Sequence, residues 1–116
     1  MTASMYADVH QGSSTVGREE EREAFDMAIA LMNAAHASPC DGRQSRNAAR
    51  HVQLLWGYLI KDLTHPGNDL SDELKANLIS IGLWVMREAD AIIAGRRSDW
   101  SPLIDINATV REGLSR

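Results

Sequence analysis

Paired cysteines, aromatic clusters, basic runs and long apolar stretches are all scarce in this chain of 116 residues, and each scarcity removes a class of function. Cys40 is the single cysteine, so no internal disulfide forms and the chain suits a reducing compartment. With one Phe, two Tyr and few β-branched runs, the 44% hydrophobic content is largely aliphatic, which argues against a sheet and for helices. Twelve Lys and Arg against sixteen Asp and Glu give a net charge of −4, and the arginines are scattered. A grip on nucleic acid needs clustered cations to displace counterions from phosphates, so direct binding of a transcript is not expected. The one local exception, Arg43, Arg46 and Arg50, reads first as a solvated helix face. The longest oily run, Leu54 to Ile60, is interrupted by Gly57 and is far too short to span a bilayer. No export signal is recognisable at the N-terminus, and a cytoplasmic location is expected.

What the chain does have is helical periodicity. Residues 1–17 read as an arm, either a short helix around Tyr6 and Val9 or a flexible segment at Gly12-Ser13-Ser14, and residues 18–116 as one helical domain. The spacing predicts a first long helix from about Arg18 to Ala37. Glu19, Glu20 and Glu21 lie near its positive end, and its inward stripe is Phe25, Ala28 or Ile29, Met32 and Ala35. Asp41, with Gln44 three residues on, resembles a capping arrangement for a second helix whose stripe is Ala48, Val52, Leu55, Leu59 and Leu63, flanked by Trp56. His65-Pro66-Gly67-Asn68 ends it. Ser71 caps a third helix with the stripe Leu74, Leu78, Ile81, Val85, Ala89 and Ile92, closed by Gly95.

That third helix carries a second apolar set, Ile79, Leu83, Met86 and Ile93 with Trp84 beside it. This extra face is either covered by a terminal helix or open to another chain. Ser101 as cap and Pro102 at the first position start a last helix, which is expected to fold back onto the third. On this last helix Leu103, Asn107, Val110 and Leu114 share one face, placing an amide on an oily stripe. A buried amide must find partners, so Asn107 serves either the fold, by bonding to a loop backbone, or recognition. The fold class is therefore all-α, a small bundle of four main helices.

No catalytic chemistry is legible. His10, His36, His51 and His65 include no pair spaced three or four residues apart on one helix face, and Cys40 is isolated, so neither a metal nor another cofactor is expected. Asp62 with His65 reads as a surface pair, and there is no glycine-rich loop following a strand. An enzyme is not expected. Trp84 and Trp100 stand open between ordinary packing and interface anchoring, whereas Trp56 reads as core or core edge.

Leu55-Trp56 with Asp62-Leu63, then Asn68-x-Leu70-x-x-x-Leu74-Lys75-Ala76-Asn77-Leu78, and finally Leu103-Ile104-Asp105-Ile106-Asn107 with Gly113-Leu114 resemble the FlaF family of flagellar regulators in order and spacing. The resemblance runs from about Glu20 to the end and marks Trp56, Leu74, Asp105, Asn107 and Gly113 as structural motif positions. The chain departs from the family pattern at Val52, where an asparagine is expected, and at Ala89, where a threonine or similar residue is expected. The resemblance implies a small helical cytoplasmic protein that promotes flagellin production, opposes the FlbT repressor family and binds flagellin. Flagellin's terminal segments are amphipathic helices that lack partners until assembly, so the expected binding surface is an oily groove. We place it between the spare side of the third helix and the last helix, with Leu83, Trp84, Met86, Ile104 and Asn107 near it. A helical adaptor or scaffold, and a regulator of flagellin message acting through Arg43, Arg46 and Arg50, are the alternative readings.

Overall fold

The computed structural model describes residues 14–113, with side chains from Glu19 onward, and among these the chain is all-α. Four helices follow in order: α1 (Ser14–Ala37), α2 (Gly42–Leu63), α3 (Asp72–Ile93) and α4 (Ser101–Gly113). Helix α1 is already formed at Ser14, one turn ahead of the expected start at Arg18. The rest of the expected arm, and Leu114, lie outside the described residues.

The helix ends follow local chemistry. The Asp41 carboxylate accepts from the Gln44 backbone N–H at 3.0 Å and starts α2, and Ser71 Oγ accepts from Leu74 N–H at 3.2 Å to start α3. At the end of α3, Gly95 takes φ +78°, a left-handed conformation that glycine adopts without a Cβ clash. Arg96 N–H then reaches back to the Ala91 carbonyl at 2.8 Å and Gly95 N–H to that of Ile92 at 3.0 Å, the paired bonds of a Schellman ending. Helix α4 begins one residue earlier than Ser101 as a cap would place it. The Trp100 carbonyl accepts the first intrahelical bond, from Ile104 N–H, and the Asp99 carboxylate takes the Ser101 N–H, so Ser101 and Pro102 occupy the first two helical positions. Those bonds from Ser101 hold the Asp99 carboxyl below its ordinary range.

Helices α2 and α3 form the most extensive pair, α1 packs on α2, and α4 packs on α1. The last association corrects the expectation that the final helix returns to the third. Trp100 N–H meets His36 Nδ1 at 3.4 Å near the end of α1, and Arg111 forms an ion pair with Asp26 at 2.9 Å, so α4 runs antiparallel along α1. Trp100 and Leu103 are buried at the start of α4 and anchor it there. Because α4 is drawn to α1 while α3 is drawn to α2, the facing sides of α3 and α4 stay apart.

The core is built from Phe25, Ala28, Met32 and Ala35 of α1, Ala48, Ala49, Val52 and Trp56 of α2, Val85, Ala89 and Ile92 of α3, and Trp100 and Leu103. Every stripe predicted for α1 is inside, with Ala28 rather than Ile29 fully buried. In α2 the buried line runs through Ala49 and Trp56, leaving Leu55 and Leu59 half-buried. In α3 the first stripe residue, Leu74, is exposed. Val52 and Ala89, where the resemblance led to an expectation of polar residues, are fully enclosed in the apolar core.

Trp56 joins all four helices. Its ring meets Phe25 of α1 edge to face, centroids 5.9 Å apart and planes at 85°. Its indole Nε1–H donates to Asn107 Oδ1 of α4 at 2.8 Å. From α3, Gly82 lies so close that a Cβ there would sit 2.9 Å from Trp56 Cε3 and 3.0 Å from Ile60 Cδ1, so only a residue without a side chain lets the helices approach. Asn107 is wholly buried, and its Nδ2 donates to the Leu103 carbonyl one turn back at 2.8 Å. Since an indole N–H only donates, the amide oxygen must face it, and the amide's orientation is thereby set.

Candidate partner-binding groove

The separation of α3 from α4 leaves an open groove of about 510 Å³. Its walls are Ser80, Ile81 and Trp84 of α3 and Pro102, Asp105, Ile106 and Thr109 of α4. Each set is a helical face: 80, 81 and 84 on one side, and 102, 105, 106 and 109 at the i, i+3, i+4, i+7 spacing on the other. Trp84, Ile81 and Ile106 are half-buried, seated against the core with one side toward the groove. The polar members lie along α4 and at Ser80. Thr109 Oγ1 donates to the Asp105 carbonyl at 2.9 Å, which turns the hydroxyl toward its own helix.

The expected groove residues separate into three places. Trp84 lines the groove. Leu83, 51% exposed, stands on α3 one position away from it, on a different side of the helix. Met86 faces α2, its methyl 3.8 Å from the place a Gly57 Cβ would occupy, and its carbonyl accepts from Gln53 Nε2. Ile104 packs against the core, and Asn107 is sealed inside on Trp56, where no partner reaches it. The partners of Asn107 are therefore the Trp56 indole and the Leu103 carbonyl of its own helix rather than a loop backbone. Of the motif positions, Trp56 and Asn107 are the bonded pair, Asp105 lines the groove, Leu74 is exposed, and Gly113 is exposed at the last position of α4.

Sequence reasoning missed Ser80, Ile81, Pro102, Ile106 and Thr109, and had Asp105 only as a structural motif position. The spacing on α4 was available as a signal, but whether a half-apolar face is covered depends on which neighbour the helix chooses.

Asp105 is the one ionisable group on the groove walls, and no histidine or cysteine lines them. Among the described residues, no three His, Cys, Asp or Glu side chains are grouped as a metal site would need. Such walls offer mainly apolar contact, from Ile81, Trp84, Pro102 and Ile106. No helix among the described residues is long and apolar enough to cross a membrane.

Away from the groove, Glu21 of α1 is 9% exposed, and its carboxyl is pushed up to about 7, first by burial and then by the neighbouring Asp62 charge. Asp62 accepts from Asn68 Nδ2 at 3.2 Å, and Lys75 Nζ donates to the Asn68 carbonyl at 2.7 Å, tying the α2–α3 loop to both helices.

No curated protein and no solved structure matches the chain. The family model described as flagellar protein FlaF matches residues 2–114, nearly the whole chain. With the helical framework, the buried Trp56–Asn107 pair and the open α3–α4 face in place, that match shows that the chain belongs to the FlaF family of flagellar proteins.

Proposed function

We propose that this protein is a cytoplasmic, non-enzymatic regulator of flagellum biogenesis that binds flagellin. In this reading it holds a terminal amphipathic helix of flagellin in the α3–α4 groove, promotes flagellin synthesis or secretion, and opposes an FlbT-type repressor. The observation that carries the reading is the groove itself, an apolar cleft between two helices that pack on different neighbours. A helix laid into it would bury the open side of Trp84 with Ile81 and Ile106, the arrangement by which grooves between helices take up a third. Family membership supplies the flagellar context. Shielding an aggregation-prone segment needs no reacting groups, which agrees with the chemistry of the walls.

The test is calorimetric titration of flagellin into the purified protein. Trp84→Ala is expected to weaken binding by about 30-fold, corresponding to roughly 2 kcal/mol for an interface anchor. Ile106→Asp places a charge on the opposite wall and is expected to weaken binding at least as much. Binding to the parent protein should change little between low and high salt, since apolar burial carries it. Normal affinity in both variants would show that flagellin does not use this groove.

A further inference from the structure

A second surface lies on the solvent side of α2. Arg43, Arg46, Asn47, Arg50, Leu54, Tyr58 and Lys61 are all exposed, and at 100° per residue they fall within a sector of about 120°. The stripe is about 27 Å long at 1.5 Å per residue. It presents four cations and, between Arg50 and Lys61, two large apolar side chains, Leu54 at 58% and Tyr58 at 49% exposure. None of these cations takes part in an ion pair among the described residues. Helix α2 has one acidic residue, Asp62, and this is turned to Asn68 and the Glu21 side, away from the stripe. The whole chain carries a net charge of −4, so this concentration of positive charge on one helix stands against an otherwise acidic molecule.

We propose that the α2 stripe is a docking surface for an acidic amphipathic helix of a partner protein. Such a helix would rest its apolar side on Leu54 and Tyr58 and its carboxylates on Arg43, Arg46, Arg50 and Lys61. Charge complementarity selects the partner, since unpaired arginines with a planar fork of donors match carboxylates. The two apolar residues select a helix over a nucleic acid. A phosphate backbone gains nothing from a leucine in the middle of its path, whereas an amphipathic helix buries it. One tyrosine is also too few to stack successive bases. None of the stripe residues lines the α3–α4 groove, so the two surfaces are separate and this inference does not rest on flagellin binding there.

The test is selection from a displayed library of helical peptides with Leu or Ala on the apolar side and Glu, Lys or Ser elsewhere. Enriched peptides are then measured against the parent protein, Arg50→Glu, Leu54→Ser and Trp84→Ala. The expected result is peptides of net negative charge whose binding weakens with salt and falls about tenfold or more in Arg50→Glu and in Leu54→Ser, with Trp84→Ala unaffected. Both stripe substitutions are at exposed positions, and circular dichroism checks that the helices persist. Absence of enrichment, enriched peptides without negative charge, undiminished binding to either stripe variant, loss in Trp84→Ala, or binding confined to a single-stranded RNA oligonucleotide would each overturn the proposal.

Discussion

Removing both partners of the Trp56–Asn107 hydrogen bond should cost less than the two single losses added together, because each group is buried where water cannot replace the other. Asn107→Leu keeps the branched outline of the native side chain but leaves the indole Nε1–H with no acceptor in place of its bond at 2.8 Å. An orphaned buried donor costs about 1–3 kcal/mol. Trp56→Phe strands the amide oxygen instead and leaves part of the space of the larger indole unfilled, which adds a cavity term, so a loss of about 2–4 kcal/mol is expected. In the double variant neither polar group is stranded by the other. Its loss should therefore be smaller than the sum of the singles by about 1.5–3 kcal/mol. These are large fractions of the roughly 6–17 kcal/mol expected for a domain of this length. Urea unfolding followed by far-UV circular dichroism reads all four proteins without depending on the tryptophan being removed. A coupling below about 0.5 kcal/mol, the size seen for independent sites, would refute the idea that this bond joins α2 to α4.

Three further outcomes are expected. Gly82→Ala should lower the melting temperature, because the new methyl meets Trp56 at 2.9 Å and Trp56 is held by Asn107. The loss of about 1–3 kcal/mol from overpacking should outweigh the roughly 1 kcal/mol of helix propensity gained. Gly57→Ala has Met86 Cε at 3.8 Å as its nearest neighbour, so there the propensity gain of up to about 1 kcal/mol should appear, and equal melting shifts in the two variants would contradict the packing described.

Glu21 holds its proton in the folded protein up to about pH 7 and in the unfolded chain only to its ordinary 4.5. Over that interval the native state binds more protons, and stability falls as pH rises. Glu21→Gln should flatten this dependence and stabilise the protein above neutrality by about 1–3 kcal/mol, at roughly 1.4 kcal/mol per unit of pKa; urea midpoints rising between pH 5 and 8 in the parent protein would refute it. Finally, Trp56 and Trp100 are buried while Trp84 opens on the groove. Acrylamide should therefore quench mainly the Trp84 fluorescence, and Trp84→Phe should remove most of the quenchable emission.

The helices were legible in the residues because helix formation is governed by neighbours in sequence. Asp41, Ser71 and Gly95 perform the end chemistry that their types and positions suggested, and the spacing of Phe25, Ala28, Met32 and Ala35 named the buried side of α1. Asn107 could be singled out as an amide on an oily stripe, but its acceptor-to-indole bond could not be read. Trp56 lies 51 residues away, and nothing local records that the two helices face each other. Trp56 itself lay beside the regular apolar spacing of α2 and is nonetheless its deepest aromatic, since Gly82 opens room for it. Of the expected groove residues only Trp84 lines the groove, because a side chain's exposure depends on the neighbour opposite and not on its own periodicity.

Composition, periodicity and capping residues thus determined by themselves the acidic, all-α character of the protein and the four helices of the described residues, because those properties depend on interactions within a few residues of the chain. The tertiary structure alone decided that α4 lies along α1 rather than α3, through Trp100, Leu103 and the Arg111–Asp26 pair. That choice leaves the α3–α4 groove open, and it rests on the competition between two apolar faces for one helix, a contest settled by shape in three dimensions.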